Sequence, residues 1–233
     1  MNVEIVVARY NEDLKWLNTY PFNIFPITIY NKGVNTEFTI QSPHRIIQLD
    51  NVGRCDHTYL YHIVHNYNHL ADITIFLPGS NDIDYKKKKS RNLIYEILKH
   101  KKAVFLSIES TDILKKFYNF KLDTWKCTHE KNDQLYSKTT NMNNSLELSP
   151  IRPFGRWYQY YFGNLKIKNS SFCGIFSISK INILQKPVHY YEIFLKQLET
   201  SANPEIAHYI ERSWAAILHP FYKNNVVCIK YIL

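Results

Sequence analysis

The chain has 233 residues, of which 45% are hydrophobic and 15% aromatic, which excludes a disordered chain and suffices for the core of one domain. Its apolar runs are far shorter than the roughly 20 residues of a membrane helix, so we expect a soluble, cytoplasmic protein without a membrane span. The net charge of +9 suits a phosphorylated ligand. Much of this charge lies in lysines beside a predicted helix, so it does not favour nucleic acid as the partner.

The first two predicted strands are both rich in β-branched residues. Residues 3–8 form a continuous apolar run, which is typical of a parallel strand buried on both faces. Asn11 is predicted to cap a helix that follows. Residues 26–30 predict a second strand, and the turn sequence at residues 31–33 closes it. The chain is therefore predicted to open β-α-β.

Residues 57–70 predict a helix that Asp56 caps and whose apolar side chains share one stripe. His62, His65 and His69 fall on the opposite side of this helix. Three histidines could bind a metal ion, but a polar stripe facing solvent is the simpler interpretation of the pattern.

Strands and helices continue to alternate along the chain. Residues 73–77 predict a strand, residues 90–101 a helix and residues 103–108 a further strand. This alternation predicts an α/β fold with a Rossmann-like layout, in which helices flank a doubly wound, mostly parallel central sheet.

The second half of the chain begins with a polar segment at residues 128–149, which is interpreted as a flexible loop. Residues 172–179 then predict a strand, and residues 187–198 and 203–219 predict two helices. Because no second set of strand–helix units follows the loop, residues 1–233 are predicted to form a single domain.

Ligands of open α/β sheets bind outside the carboxyl ends of the strands, which directs attention to the residues after each apolar run. Arg9 and Lys32 offer cations for a diphosphate there, and Asn11 and Glu12 offer hydrogen bonds to a base or a ribose. Alternatively, Arg9 and Glu12 pair with each other at the end of the strand.

Asp82 and Asp84 have the Asp-x-Asp spacing with which many enzymes of nucleotide sugars hold a divalent ion, Mn²⁺ or Mg²⁺, against the diphosphate. They lie several residues beyond the predicted strand and directly before four lysines. A solvated turn would use aspartate in the same way, so both interpretations stay open.

Glu211 is the carboxylate that best suits catalysis, because its helical position lies beside the apolar stripe of the last predicted helix rather than opposite it. A partly desolvated carboxylate at such a boundary suits a general base for an acceptor hydroxyl. The alternative is a structural Glu211 that pairs with Arg212 or with a neighbouring loop.

An aromatic run at residues 157–162 predicts either a platform on which a sugar stacks or a part of the core. We place contacts to a sugar or an acceptor at Arg152, Trp157, Tyr158 and Gly174.

Seven segments together resemble one uncharacterised family, which occurs in fungi and giant viruses among others and is similar to GT-A glycosyltransferases. They are VEIVVARYNEDLKWL, ITIYNKG, NVGRCDHTYLYHIV, ADITIFLPGS, RPFGRWY, FCGIFSIS and NPEIAHYIERSWAAI. The resemblance spans nearly the whole chain and is weakest across residues 128–149. In a viral member, the location implied is the cytoplasm of the host.

The resemblance implies a GT-A-type fold, with a metal ion near residues 78–84 and an acid for the acceptor on the helix at residues 205–214. The sequence departs from the GT-A pattern because FLPG, at residues 76–79, stands where an Asp-x-Asp is expected. The resemblance places the nucleotide over Ala8, Arg9, Tyr10, Asn11, Glu12, Asn31, Lys32 and Gly33.

These observations predict a glycosyltransferase that moves a sugar from a nucleotide-sugar donor, expected to be a UDP-sugar, to a hydroxyl of a glycan or protein acceptor. Arg9 and Lys32 would stabilise the departing diphosphate, and Glu211 would deprotonate the acceptor. The alternative is a non-catalytic module that binds a glycan or a nucleotide on a degenerate transferase scaffold, which the missing Asp-x-Asp favours.

Overall fold

The computed structural model describes residues 1–107, 111–122 and 146–231. Its strands are β1 (Val3–Arg9), β2 (Ile27–Asn31), β3 (His44–Gln48), β4 (Ile73–Pro78), β5 (Ala103–Ser107), β6 (Phe176–Ser179) and β7 (Val226–Lys230). Five of them form a central sheet in the order β3-β2-β1-β4-β6. Neighbouring strands in this sheet are parallel except β4 and β6, which are antiparallel.

Seven α-helices lie in the described part of the chain, and they flank the central sheet. They are α1 (Arg54–His65), α2 (Asp84–His100), α3 (Ile113–Phe117), α4 (Phe154–Phe162), α5 (Lys180–Ile183), α6 (Val188–Lys196) and α7 (Glu205–Ile217). The predicted α/β class with a mostly parallel central sheet is therefore confirmed. None of these helices combines the length and the apolar character that crossing a membrane requires.

Strand β1 is apolar along most of its length because it lies in the middle of the sheet, between β2 and β4. Ile5 is paired with Ile27 on one side and with Ile75 on the other, and all three side chains are buried. Burial on both faces gives a continuous apolar run rather than alternation.

The strand predicted at residues 103–108 exists as β5, but it does not join the central sheet as the alternation predicted. It pairs instead with β7, and Ala103 lies opposite Val226. The Ser177 hydroxyl of β6 accepts a hydrogen bond from the Val104 N–H and donates one to the Val104 carbonyl. One side chain thus links the two sheets.

Two helix predictions need correction. No α-helix follows Asn11, because the chain forms a 3₁₀ turn at Lys15–Asn18 in which no side chain caps the start. Helix α1 starts earlier than predicted, with Gly53 as its cap, so Asp56 lies inside the helix and does not cap it.

The predicted histidine stripe faces solvent only in part: His65 and His69 are exposed, whereas His62 is not. His62 is fully buried, and its Nδ1 lies 3.1 Å from the Tyr30 hydroxyl on β2. Its Nε2 lies 3.8 Å from the Glu4 carboxylate, while burial lowers the pKa of His62 to about 3. His62 is therefore a neutral core residue that packs against the sheet.

The aromatic run belongs to helix α4, where Trp157 and Tyr158 form part of the core and Tyr160 is exposed. Trp157 is 1% exposed and Tyr158 is fully buried. The Trp157 ring lies 5.8 Å from that of Tyr209 on α7. Neither ring offers an open face to a sugar, so the prediction of a stacking platform at Trp157 and Tyr158 is wrong.

Candidate functional site

A cavity of about 450 Å³ lies at the carboxyl ends of β1 and β4. The end of β1, the start of α1, the start of α2 and one face of α7 supply most of its lining. Several nucleotide contacts predicted from the sequence line this cavity, namely Ala8, Arg9, Tyr10, Glu12 and Lys32. The cavity thus lies at the edge of the sheet where ligands of open α/β folds bind.

Arg9 lines the cavity but is only 2% exposed, because most of its guanidinium is engaged inside the protein. Its Nε donates to the Glu12 carbonyl at 2.9 Å, and its Nη1 donates to the Asn31 side chain at 2.6 Å. The guanidinium also lies 4.4 Å from the centre of the Phe38 ring. Arg9 therefore fixes the chain around the ends of β1 and β2, and only an edge of it meets the cavity.

Lys32 has a similar internal role. Its ammonium donates to the carbonyls of Val52 and Arg54, the second at 2.6 Å. These bonds hold a turn in which Gly53 and Arg54 have φ angles of 57° and 55°. Burial lowers the Lys32 pKa to about 7. Lys32 thus positions the start of α1, which carries other residues of the cavity.

Asp56 is a buried acid of the cavity that the sequence analysis did not propose as a site residue. It is 2% exposed, and its Oδ1 accepts a hydrogen bond of 2.7 Å from the indole nitrogen of Trp214. The indole is held by packing, since the Trp214 ring lies 4.9 Å from that of Phe176 on β6. Burial first, and then the charge of Glu211, raise the Asp56 pKa to about 7.

Glu211 lines the same cavity, as its place beside the apolar stripe predicted. Its Oε1 accepts a hydrogen bond of 2.8 Å from the Cys173 N–H, and its Oε2 lies 3.9 Å from Nη1 of Arg212. Cys173 and Gly174 have φ angles of 71° and 63°, so this carboxylate braces a turn with left-handed backbone. Both partners of the structural alternative are therefore present, around a carboxylate that still borders the cavity.

Three further cations line the cavity, namely Arg54, Lys86 and Arg212, and none of them was predicted as a site residue. The Lys86 ammonium is 2.8 Å from the Ser80 hydroxyl, which is neutral. The Arg212 guanidinium stacks over the ring of Phe120 at 3.7 Å and donates from Nη1 to the His208 carbonyl. The side chains of Lys86 and Arg212 are thus held in place by neutral partners, and Arg212 also lies 3.9 Å from the Glu211 carboxylate.

The sequence from residue 5 to residue 232 matches the model of a family described as "Protein of unknown function (DUF3431)". The chain belongs to this family. The match runs from β1 into β7 and beyond, so it includes every described residue that lines the cavity. A search of curated proteins finds no match.

In this DUF3431 protein, three of the predicted nucleotide contacts lie outside the cavity lining. The amide of Asn31 is buried and donates to the Gly33 carbonyl at 2.8 Å. A Cβ on Gly33 would lie 1.7 Å from the Tyr10 carbonyl oxygen, so this position requires glycine for a close backbone approach. Asn11 borders a neighbouring hollow, which shares Arg9 with the main cavity.

The predicted metal ligands also lie outside the cavity lining. Asp84 is exposed in the first turn of α2, and Asp82 is partly buried just before it. Across the described ranges, no group of three or more histidine, cysteine, aspartate or glutamate side chains could hold a metal ion.

The four residues predicted to contact a sugar or an acceptor also lie outside the cavity lining. Arg152 forms an ion pair of 2.9 Å with the buried Glu205 and donates to the Leu122 carbonyl, so it joins α7 to the chain that precedes it. Trp157 and Tyr158 lie in the core. Gly174 lies beside the cavity residue Cys173, and a Cβ there would lie 2.9 Å from the sulfur of Cys55.

Proposed function

We propose that this protein is a glycosyltransferase of GT-A-type layout, which binds a nucleotide sugar in the cavity and transfers the sugar to a hydroxyl group. The expected donor is a UDP-sugar, and the expected acceptor is a glycan or a protein. One observation carries the proposal: a cavity at the carboxyl ends of parallel strands combines fixed cations with the carboxyl groups of Asp56 and Glu211.

The cations support binding of a diphosphate. Five basic side chains line the cavity against three carboxyl groups, namely Arg9, Lys32, Arg54, Lys86 and Arg212 against Glu12, Asp56 and Glu211. Positive side chains held in a concave, partly desolvated space attract anions and form charge-assisted hydrogen bonds with them. Since Arg9 and Lys32 are engaged internally, Lys86 and Arg212 are the better candidates for direct contact.

The same arrangement supports sugar transfer. As the bond between the sugar and the diphosphate breaks, negative charge grows on the diphosphate, and Lys86 and Arg212 would stabilise it. Glu211 would accept the proton of the acceptor hydroxyl, with its orientation fixed by the Cys173 N–H. Cations that are already oriented need little rearrangement when this charge appears.

A divalent ion at Asp82 and Asp84 fits this cavity poorly. Neither side chain lines it, and the nearby Lys86 would repel a second cation. No step of the proposed reaction is therefore assigned to a metal ion, and the use of Mn²⁺ or Mg²⁺ stays a prediction.

The alternative is a binding module without catalysis. It is favoured by the engagement of Glu211 with both Cys173 and Arg212, since a carboxylate that only braces a turn needs no substrate. A catalyst and a binding module would differ in turnover and not in affinity.

The test uses the full chain with a panel of UDP-, GDP-, ADP- and CMP-sugars, and measures both the shift in Tm and the release of nucleotide. We expect one donor to raise Tm and to be turned over slowly even without an acceptor. Binding without turnover, with any acceptor supplied, would favour the binding module. If no nucleotide sugar raises Tm or is turned over, the proposal is wrong.

Two neighbouring lysines on α2 supply a matched pair of variants. Lys86→Met removes a cation from the cavity, whereas Lys88→Met removes an exposed one that does not line it. We expect Lys86→Met to weaken donor binding by about 10-fold or more, the effect of one charge-assisted hydrogen bond, and Lys88→Met to leave affinity nearly unchanged. Equal effects of the two variants would show that the charge acts only at long range.

A further inference from the structure

Asp56 combines burial with an unusual lack of partners. It lines the cavity, and among the described residues no basic group comes within 4.0 Å of its carboxylate to form an ion pair. Oδ1 is occupied by the Trp214 N–H. Oδ2 has only a contact of 3.8 Å with the thiol of Cys55, which is a weak donor. One oxygen is therefore fixed, and the other lacks a strong partner.

The charged and titratable groups around Asp56 do not neutralise it. The Lys32 ammonium is engaged by two backbone carbonyls, and Glu211 adds a negative charge. Burial and Glu211 together raise the Asp56 pKa to about 7. A large fraction of the protein molecules therefore carries a proton on Asp56 at neutral pH. The groups that face it come from its own helix α1, from the residue after β2 and from α7, and they are Arg54, Cys55, Tyr59, Lys32, Glu211 and Arg212.

A ligand for the free oxygen of Asp56 must suit a carboxyl group that can both donate and accept. A phosphate does not suit it, since the ionised carboxylate would repel it. A metal ion does not suit it either, because the described residues contain no cluster of ligands. A hydroxyl group suits both protonation states, because it can accept a hydrogen bond from the acid and donate one to the carboxylate.

We propose that Asp56 is a specificity-determining residue, whose Oδ2 forms a hydrogen bond with a hydroxyl group of the donor sugar while Trp214 holds Oδ1. This inference rests on the proposed function, because it names the part of the nucleotide sugar that Asp56 contacts. Asp56 then distinguishes the sugar-bearing donor from the free nucleotide, whereas the cations bind both.

The first experiment compares UDP with the UDP-hexose that binds most tightly, using titration calorimetry on the wild-type protein and on Asp56→Ala. We expect Asp56→Ala to weaken binding of the UDP-hexose by about tenfold or more, because a site built for a hydroxyl group loses its partner. Binding of UDP should change by less than about twofold. The matched control is Asp50→Asn, an exposed aspartate near α1 that does not line the cavity, and it should bind both ligands like the wild type.

Asp56→Asn provides a second measurement that does not depend on the Ala variant folding. The asparagine keeps an oxygen for the Trp214 N–H and a donor for the sugar, but it cannot titrate. In the wild type, the ratio of UDP-hexose affinity to UDP affinity should rise as the pH rises through about 7, because the sugar hydroxyl then donates to an ionised carboxylate and forms a charge-assisted hydrogen bond. In Asp56→Asn this contribution should be absent, so the only change of the ratio with pH should come from the terminal phosphate of UDP, which titrates near about pH 6.

The outcomes separate the two proposals. If the wild type binds neither ligand, the proposed function fails and this inference fails with it. If the wild type binds both but Asp56→Ala weakens both equally, Asp56 acts only on the structure of the cavity and the inference alone is overturned. The same conclusion holds if the affinity ratio of Asp56→Asn varies with pH as it does in the wild type.

Discussion

Replacement of Asp56 by asparagine should change how the stability of the protein depends on pH. In the folded state Asp56 keeps its proton up to about pH 7, whereas its ordinary pKa of 3.8 means that the unfolded chain loses this proton much earlier. Between these two pH values the folded state binds the extra proton, so the wild type loses stability as the pH rises. Asparagine has no proton to lose, and it keeps an acceptor for the Trp214 indole.

The size of this effect follows from the pKa difference. Each pH unit between the two pKa values changes the free energy of unfolding by about 1.4 kcal/mol. From pH 5 to pH 7, the wild type should therefore lose about 3 kcal/mol relative to Asp56→Asn, and little more up to pH 8. Lys32, whose pKa burial lowers to about 7, acts in the opposite direction above pH 7 but is present in both proteins.

Urea denaturation at pH 5 and at pH 8 measures the difference directly, with Asp50→Asn as the control for an exposed aspartate. We expect the stability of Asp56→Asn relative to the wild type to increase by about 3 kcal/mol between the two pH values. A relative stability that is the same at both values would show that Asp56 is ionised in the folded protein at pH 5. The conclusion that buried Asp56 keeps its proton in the folded protein up to about pH 7 would then be refuted.

Three other predictions concern the proposed reaction. Glu211→Gln keeps an acceptor for the Cys173 N–H but cannot take a proton. Turnover should therefore fall by about 10²–10⁴-fold with donor affinity nearly intact. Turnover at the wild-type rate would show that Glu211 is not the base. If Asp82 and Asp84 bind Mn²⁺, replacing both with asparagine should abolish any Mn²⁺-dependent rise of Tm with a nucleotide diphosphate. A rise equal to that of the wild type would exclude both residues as ligands. Arg9→Ala should lower the free energy of unfolding by about 2–4 kcal/mol as well as weaken nucleotide binding, because it leaves the Asn31 side chain and two backbone carbonyls without their donor. An unchanged urea midpoint would contradict this structural role.

The central part of the fold could be predicted because its strands are buried on both faces. Strands β1, β2 and β4 are continuous apolar runs, and the residues after them include Arg9 and Lys32. The sheet geometry then brings these ends to one edge, as the general rule for open α/β sheets requires. Glu211 was found for a similar reason, since helical periodicity alone places it beside the buried stripe.

Strand β3 could not be recognised, because its sequence HRIIQ is mostly exposed and does not alternate between apolar and polar residues. This omission hid part of the site. Arg54, Cys55 and Asp56 come after β3 as Lys32 comes after β2, so a search of strand ends would have reached them had β3 been predicted. None of the lysines at residues 86–89 was predicted as a site residue, although the Lys86 ammonium lies 2.8 Å from the Ser80 hydroxyl.

Buried residues that depend on tertiary contacts were predicted least well. The aromatic spacing in α4 does not reveal whether the Trp157 ring packs against a sugar or against Tyr209, because an apolar ring face suits either partner. His62 was placed on the solvent side by periodicity, yet Tyr30 and Glu4 of the sheet cover this part of α1. Both errors arise because a single helix does not indicate how many of its faces other elements will cover.

The link between Ser177 and Val104 affects how the molecule can come apart. Strands within a sheet are joined by main-chain hydrogen bonds, but here the Ser177 hydroxyl supplies the hydrogen bonds. The sheet of β5 and β7 is therefore held to the central sheet by this hydroxyl group and by packing. Ser177→Ala would leave a buried N–H and a buried carbonyl of Val104 without partners, and such a break should let this edge open separately from the rest. Amide exchange at Val104 would then become faster than at Val6 in β1.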